Sequence, residues 1–269
     1  MAAVQEFPAP VLDAIDPAPA PRPPRRPLRR AAREVGLVLV LFLAYKLGRV
    51  VADGHVGAAL ANAADIWHLE RALRLPSEYA IQQAVLPNVD LVRVANSYYA
   101  FVHFPATALL LIWMYLWRPD HYVWTRRMLA WLTAAGLVVH LLLPLAPPRM
   151  LSSVGMVDTG HLYGPSVYGA PDTDSLANQY AAMPSLHVGW ALAVAIALIA
   201  ATSTRWRWAW LLHPVITVVV VVVTGNHYWV DAVVAALLLG LVVALLPRPG
   251  HARASVRVPR PRAQSAQRS

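Results

Sequence analysis

The chain has 269 residues, of which 58% are hydrophobic and only 14% charged, with a mean hydropathy of +0.46. A soluble domain lies nearer half apolar and a quarter charged, so this composition argues against both an ordinary soluble globule and a disordered protein. Cysteine is absent, which excludes disulfides, thiolate metal sites and cysteine nucleophiles, and the net charge of +9 is concentrated in tails and short loops, a topology signal rather than a nucleic-acid footprint.

Residues 1–34 are rich in Pro, Ala and Arg and cannot bury a core, so a disordered tail is expected there. No signal-peptide pattern is expected, because the apolar stretch starts late and no small-residue cleavage site follows it. Six apolar segments follow, near 35–52, 95–117, 127–146, 186–202, 208–224 and 228–246. About 20 helical residues cross the hydrocarbon layer, and backbone polar groups in lipid must be satisfied within the segment, so each reads as a membrane-spanning helix. The β-branched run Val218–Val223 would favour a strand in water but not here. Residues 248–269 form a second basic tail, expected to be disordered. The expected organisation is therefore a Pro/Arg-rich tail (1–34), a six-helix membrane domain (35–247) and a basic tail (248–269). The expected fold class is all-α: an integral membrane six-helix bundle.

Orientation follows from Lys and Arg. With both termini inside, 17 of them fall on the cytoplasmic side and four (Arg71, Arg74, Arg93 and Arg149) on the other, while Lys46 and Arg49 lie within the first span. Two longer segments then face outward. Residues 53–94 are apolar-periodic but too charged to span, and read as short helices on the outer membrane surface. Residues 147–185, rich in Pro, Gly, Asp and Ser, form a loop of a length that usually serves a function.

Unusual polar groups sit at two span boundaries on that same outer face. One is Met183-Pro184-Ser185-Leu186-His187, at the start of the fourth span; the other is Gly225-Asn226-His227-Tyr228-Trp229-Val230-Asp231, at the start of the sixth. His227 and Asp231 share a helix face at four-residue spacing, so the carboxylate can fix one imidazole nitrogen and leave the other as base or nucleophile. His187 falls in a first helical turn behind a cap at Ser185, where backbone N–H groups and the helix dipole favour a phosphate. A histidine, with an ordinary pKa near 6.5, can move a proton at neutral pH. Arg149 is the strong cation of the long outer loop, a phosphate ligand or an interface anchor. Lys46 and Arg49, three residues apart, share one face of the first span and admit the same two readings. His103 and His140 lie in the outer halves of their spans, where packing is their simplest role. The tryptophans mostly flank spans, as interface belts do.

These residues resemble the type 2 phosphatidic acid phosphatase superfamily, most closely its inositol phosphorylceramide synthase-like, inositolphosphotransferase branch. AAMPSLHVGWAL resembles the P-S-G-H motif with Leu186 in place of the glycine. GNHYWVDAV resembles the H-x3-D part of the next motif, and NSYYAFVHFPAT and APPRM are similar to this branch. The likeness spans roughly residues 35–247. It implies His227 as the nucleophile that takes the phosphoryl group, Asp231 as its orienting carboxylate and His187 as the acid that protonates the leaving oxygen. It implies no metal or other cofactor and a lipid phosphate substrate. The chain departs from the wider superfamily at Val220 and Val221, where S-R is written, and at Leu142 and Met150 of K-x6-R-P. Arg149, Ser185, Lys46 and Arg49 are then the expected phosphate-binding groups, and the loss of the family's cations fits a transferase branch. The expected function is phosphoryl transfer through a phosphohistidine at the outer face of the cell membrane, with transfer of a phospho-headgroup such as inositol phosphate. The alternatives are hydrolysis of a lipid phosphate or polyprenyl diphosphate, a membrane transporter, and a zinc site on His187, His227 and Asp231.

Overall fold

The structure is a computed structural model that describes residues 29, 32–40, 43, 56–166, 179–247 and 249. Lys46, Arg49, most of the basic tail (248 and 250–269) and residues 1–28 lie outside the described residues, so the expectations of disordered tails and of cations on the first span fall there. The described chain is helical, with a single parallel bridge between Leu145 and Ala181 and no named strand. After a helical stretch over 32–40 come α1 (Val56–Ala72), α2 (Glu78–Val85), α3 (Val89–Phe101), α4 (His103–Trp117), α5 (Pro119–Leu142), the short α6 (Thr159–Tyr163), α7 (Leu186–Ala201), α8 (Leu212–Val223) and α9 (Trp229–Leu245).

Proline sets several of these boundaries. The expected span 95–117 is two helices, α3 and α4, bent by 45°. Pro105 lacks an N–H and its ring opposes the carbonyl four residues back, at Phe101, which is where α3 ends. Pro214 divides the run 208–224 in the same way, into a 3-10 turn over Arg205–Leu211 and α8. Pro144 disfavours helix at the residue before it, and α5 ends at Leu142, short of the 146 expected.

Helix α7 is central and packs against α4, α5, α8 and α9. Ala191, Ala193, Ala195 and Ala197 are all buried on it, and small residues of this kind let helix backbones approach closely. Gly136 of α5 serves the same approach, since a Cβ there would lie 2.8 Å from Leu186 Cδ2. Met114, Met128, Leu132, Ala193 and Leu239 form the core among α4, α5, α7 and α9. The outward surface of the bundle is itself apolar: Leu109, Leu142, Leu212, Leu237 and Leu245 are exposed. The run Arg205–Val223 is long and apolar enough to cross a membrane, and so is the α3–α4 pair if its bent halves are one span; α7 and α9 are apolar but have 16 and 17 residues.

Candidate functional site

The two histidine segments meet because backbone groups tie them together. Leu145 N donates to Tyr180 O and Ala182 N to Leu145 O, which lays the approach to α7 against the end of α5. His140 Nε2 donates to Pro184 O at 3.2 Å, and Ser185 N donates to Asp231 O at 3.1 Å. Ser185 caps α7 by accepting from Val188 N at 3.4 Å and is fully buried, so its hydroxyl is engaged in the cap.

His227 lies at the entrance to α9, after a turn in which Gly225 has φ +67°. That left-handed conformation suits glycine, and a Cβ there would also come within 3.1 Å of Arg149 Cβ. His227 Nδ1 lies 2.8 Å from Ala182 O and 3.3 Å from Asp231 Oδ2. Both are acceptors, so the proton is held on Nδ1 and Nε2 carries the lone pair. The shorter bond goes to the backbone carbonyl, an acceptor with no residue signature in the sequence. Asp231 Oδ2 also accepts from Tyr228 N at 2.9 Å, closing the first turn of α9.

His187 reaches the same place from α7. Its ring lies 6.0 Å from that of His227, centroid to centroid. It stacks on Tyr99 at 4.3 Å, and His103 stands 4.6 Å away. His103 is therefore a neighbour of His187 as well as a packing residue of α4, and it touches Trp190 at 4.9 Å. Trp190 borders an apolar cavity of about 650 Å³ that runs between α4, α5 and the 32–40 stretch, past Leu111, Leu129 and Leu137, to Glu34 and Arg126.

Arg149 is brought to the turn that carries His227. Its backbone N donates to Gly225 O at 3.1 Å, its Nη1 donates to Asn226 Oδ1, and its Nε donates to Asp158 Oδ2 at 3.1 Å. Its side chain is almost wholly buried, which is not how an interface anchor sits. Among the described residues no three His, Asp or Glu side chains gather as metal ligands, and His187, His227 and Asp231 do not form such a group.

Several polar residues around the site give no signal of burial in the sequence: those over 53–94 read as the wet faces of surface helices, and Asn96 falls at the start of the expected span 95–117. Gln82 of α2 is buried and donates to Val157 O and Val223 O, both at 3.0 Å, while accepting from Val157 N at 2.8 Å. Asn96 of α3 donates to Thr159 O and Gly164 O. Gln82 thus ties the 147–166 loop to the end of α8, just before the turn of His227, and Asn96 ties the same loop to α3. Glu70 and Glu78 are fully buried, and Glu70 Oε1 accepts from Val230 N at 2.8 Å. Burial, with the neighbouring Glu78 carboxyl and repulsion from Asp231, pushes the Glu70 carboxyl up to about 9. Buried charge of this kind becomes visible only once a partner helix is in place.

No curated protein and no solved structure matches the chain. A family model described as the PAP2 superfamily matches residues 64–245, which takes in α2 to α9, both histidine segments and the loop between them. Matched over most of its length, and with the H-x3-D and P-S-x-H segments meeting in space, the chain belongs to the PAP2 superfamily, a membership that supports phosphatase or phosphotransferase activity on lipid-like phosphate substrates.

Proposed function

We propose that the protein is a six-span membrane phosphotransferase that moves a phospho-headgroup, such as inositol phosphate, between lipids through a phosphohistidine at the outer face of the cell membrane. The observation that carries the reading is the paired hold on His227 Nδ1 by Ala182 O and Asp231 Oδ2, with the His187 ring 6.0 Å away. His227 Nε2 attacks phosphorus, an N–P bond forms, the P–O bond to the leaving group breaks, and His187 passes its proton to the leaving oxygen. The acceptor oxygen then attacks phosphorus, the N–P bond breaks, and His187 takes the acceptor's proton. Positioning and charge stabilisation do most of the work in such a transfer. Arg149 and the N-terminus of α7 behind Ser185 supply positive potential for the phosphate, and Lys46 and Arg49 are proposed to add to it. No metal and no other cofactor take part.

Further features support the reading. The apolar outer surface of the bundle suits a bilayer, because a soluble monomer rarely exposes so much contiguous apolar area. The cavity past Trp190 suits the apolar tail of a lipid whose headgroup lies at His187. Two segments that resemble the inositolphosphotransferase branch also supply neighbours of the histidines: Tyr99 and His103 beside His187, and Arg149 on the turn of His227.

The test is a product analysis. Purified protein is incubated in EDTA with headgroup-labelled phosphatidylinositol, with and without ceramide, and the products are separated by thin-layer chromatography. A labelled headgroup appearing on ceramide is expected. Release of free phosphate alone, from phosphatidic acid or a polyprenyl diphosphate, would make the protein a hydrolase, and loss of turnover in EDTA that zinc restores would overturn the metal-free scheme. Topology is tested separately. The chain has no native cysteine, so Ser153→Cys, in an exposed turn of the loop, gives a single thiol. An impermeant maleimide is expected to label it on intact cells; labelling only after lysis inverts the orientation.

A further inference from the structure

Beside the nucleophile lies a second group of buried charges that the scheme above does not use. Glu70, near the end of α1, and Glu78, at the start of α2, are both fully buried. Both carboxyls face one cation, and burial beside Glu78 raises the Glu70 carboxyl, so it keeps its proton. Arg71 Nη2 stands 3.0 Å from Glu78 Oε2 and 3.8 Å from Glu70 Oε2 and balances the one remaining charge. The other oxygen of Glu70, Oε1, accepts from Val230 N at 2.8 Å. Val230 immediately precedes Asp231 in the first turn of α9, where backbone N–H groups have no partner within the helix. The same turn is pinned from outside by Trp229 Nε1, which donates to Pro76 O at 2.9 Å.

Placing two acids next to Asp231 is an expensive way to cap a helix, since an amide or a hydroxyl would cap it without buried charge. We infer that Glu70 is a positioning residue for His227: by accepting from Val230 N, it fixes the turn of α9 that holds Asp231, and so the carboxylate that orients the imidazole. This inference rests on the reading of His227 as nucleophile. The charged and titratable groups that face Glu70 are Arg71 on its own helix, Glu78 on α2, and Tyr228 and Asp231 from the start of α9. Removal of the Glu70 proton at alkaline pH leaves two carboxylates side by side and a further negative charge against Asp231. The turn then loosens, and His227 loses its fixed tautomer.

The sign of the stability effect is set by the raised carboxyl. Glu70 stays protonated in the folded chain up to about 9 but ionises near 4.5 when unfolded. Its contribution to stability is therefore full below the ordinary carboxyl range and declines as pH rises toward 9. Glu70→Gln keeps an acceptor for Val230 N, offers an N–H to Glu78 and cannot ionise.

The test compares Glu70→Gln and Glu70→Ala with the wild type in the full chain, using headgroup transfer from labelled phosphatidylinositol to ceramide or phosphate release from phosphatidic acid in detergent micelles, and ¹⁵N-histidine NMR of the His227 tautomer. Glu70→Ala is expected to lower kcat by about 10- to 100-fold at unchanged KM, with a mixed His227 tautomer. Glu70→Gln is expected to stay within about threefold of the wild type at neutral pH, to lose the alkaline fall in kcat and to raise Tm at pH 8. The inference is overturned by a wild-type kcat and tautomer in Glu70→Ala, by a lowered kcat with an unchanged tautomer, or by a Glu70→Gln protein as impaired as Glu70→Ala. If Glu70→Ala does not fold, the pH dependence of the tautomer in the wild type and in Glu70→Gln decides alone. A wild type that neither transfers a headgroup nor releases phosphate from any lipid phosphate sinks the nucleophile reading, whereas the tautomer measurement still reports on the hold of Glu70.

Discussion

Replacement of His227 by alanine is expected to reduce turnover by at least about 10³-fold while the bundle still folds. The His227 ring makes its bonds at the rim of α9 rather than in the core of Met114, Met128, Leu132 and Leu239, so its removal leaves the main packing intact. What is lost is the proposed nucleophile. Circular dichroism and thermal unfolding separate the two effects: an unchanged melting profile with no product supports the assignment. Near-wild-type turnover in the variant would falsify it.

Asp231→Asn is expected to produce the second largest loss, about 10²- to 10³-fold in kcat, with little change in stability. Two acceptors hold His227 Nδ1, and only one of them is altered. With the turn of α9 intact, the carbonyl of Ala182 and the amide oxygen introduced at position 231 both still accept from Nδ1, so the proton keeps its place. The amide oxygen introduced at position 231 can still accept from Tyr228 N and close the helix turn. Missing from the variant is the negative charge that stabilises the ring as it becomes positive in the phosphorylated state. The substitution thus separates orientation, which the backbone retains, from charge, which it does not. It is checked by single-turnover kinetics: slowed formation of the phosphoenzyme with an unchanged tautomer is expected, and an unaltered rate would remove Asp231 from the chemistry.

Those parts of the site that depend on local spacing were legible in the sequence. His227 and Asp231 lie one helical turn apart, and Ser185 stands where a cap must stand. The helix boundaries carried a signal of a different kind. Pro105 and Pro214 mark where apolar runs break, but hydropathy alone is continuous across both, so 95–117 and 208–224 read as single helices. Unmarked in the sequence were contacts between distant segments. The acceptor for His227 is a main-chain oxygen, which any residue at 182 would provide. Glu70, Glu78 and Gln82 look like polar faces on surface helices, because charged and amide side chains are usually exposed, and Asn96 falls at the start of an expected span with nothing to mark its partners. Their burial depends on α1, α2 and α3 being folded against α8, α9 and the 147–166 loop, and no periodicity encodes that.

One consequence follows from the bond between His227 Nδ1 and Ala182 O, which joins the run-up to one imidazole to the ring of the other. Neither segment is a self-sufficient cassette. Transplanted alone into a foreign scaffold, the Gly225–Asp231 stretch would bring its carboxylate but leave behind its nearer acceptor, and the Met183–His187 stretch would arrive with nothing to aim. The reactive pair is a property of their stitching, so swaps between related chains should carry both segments together, along with the end of α5 that holds them in register.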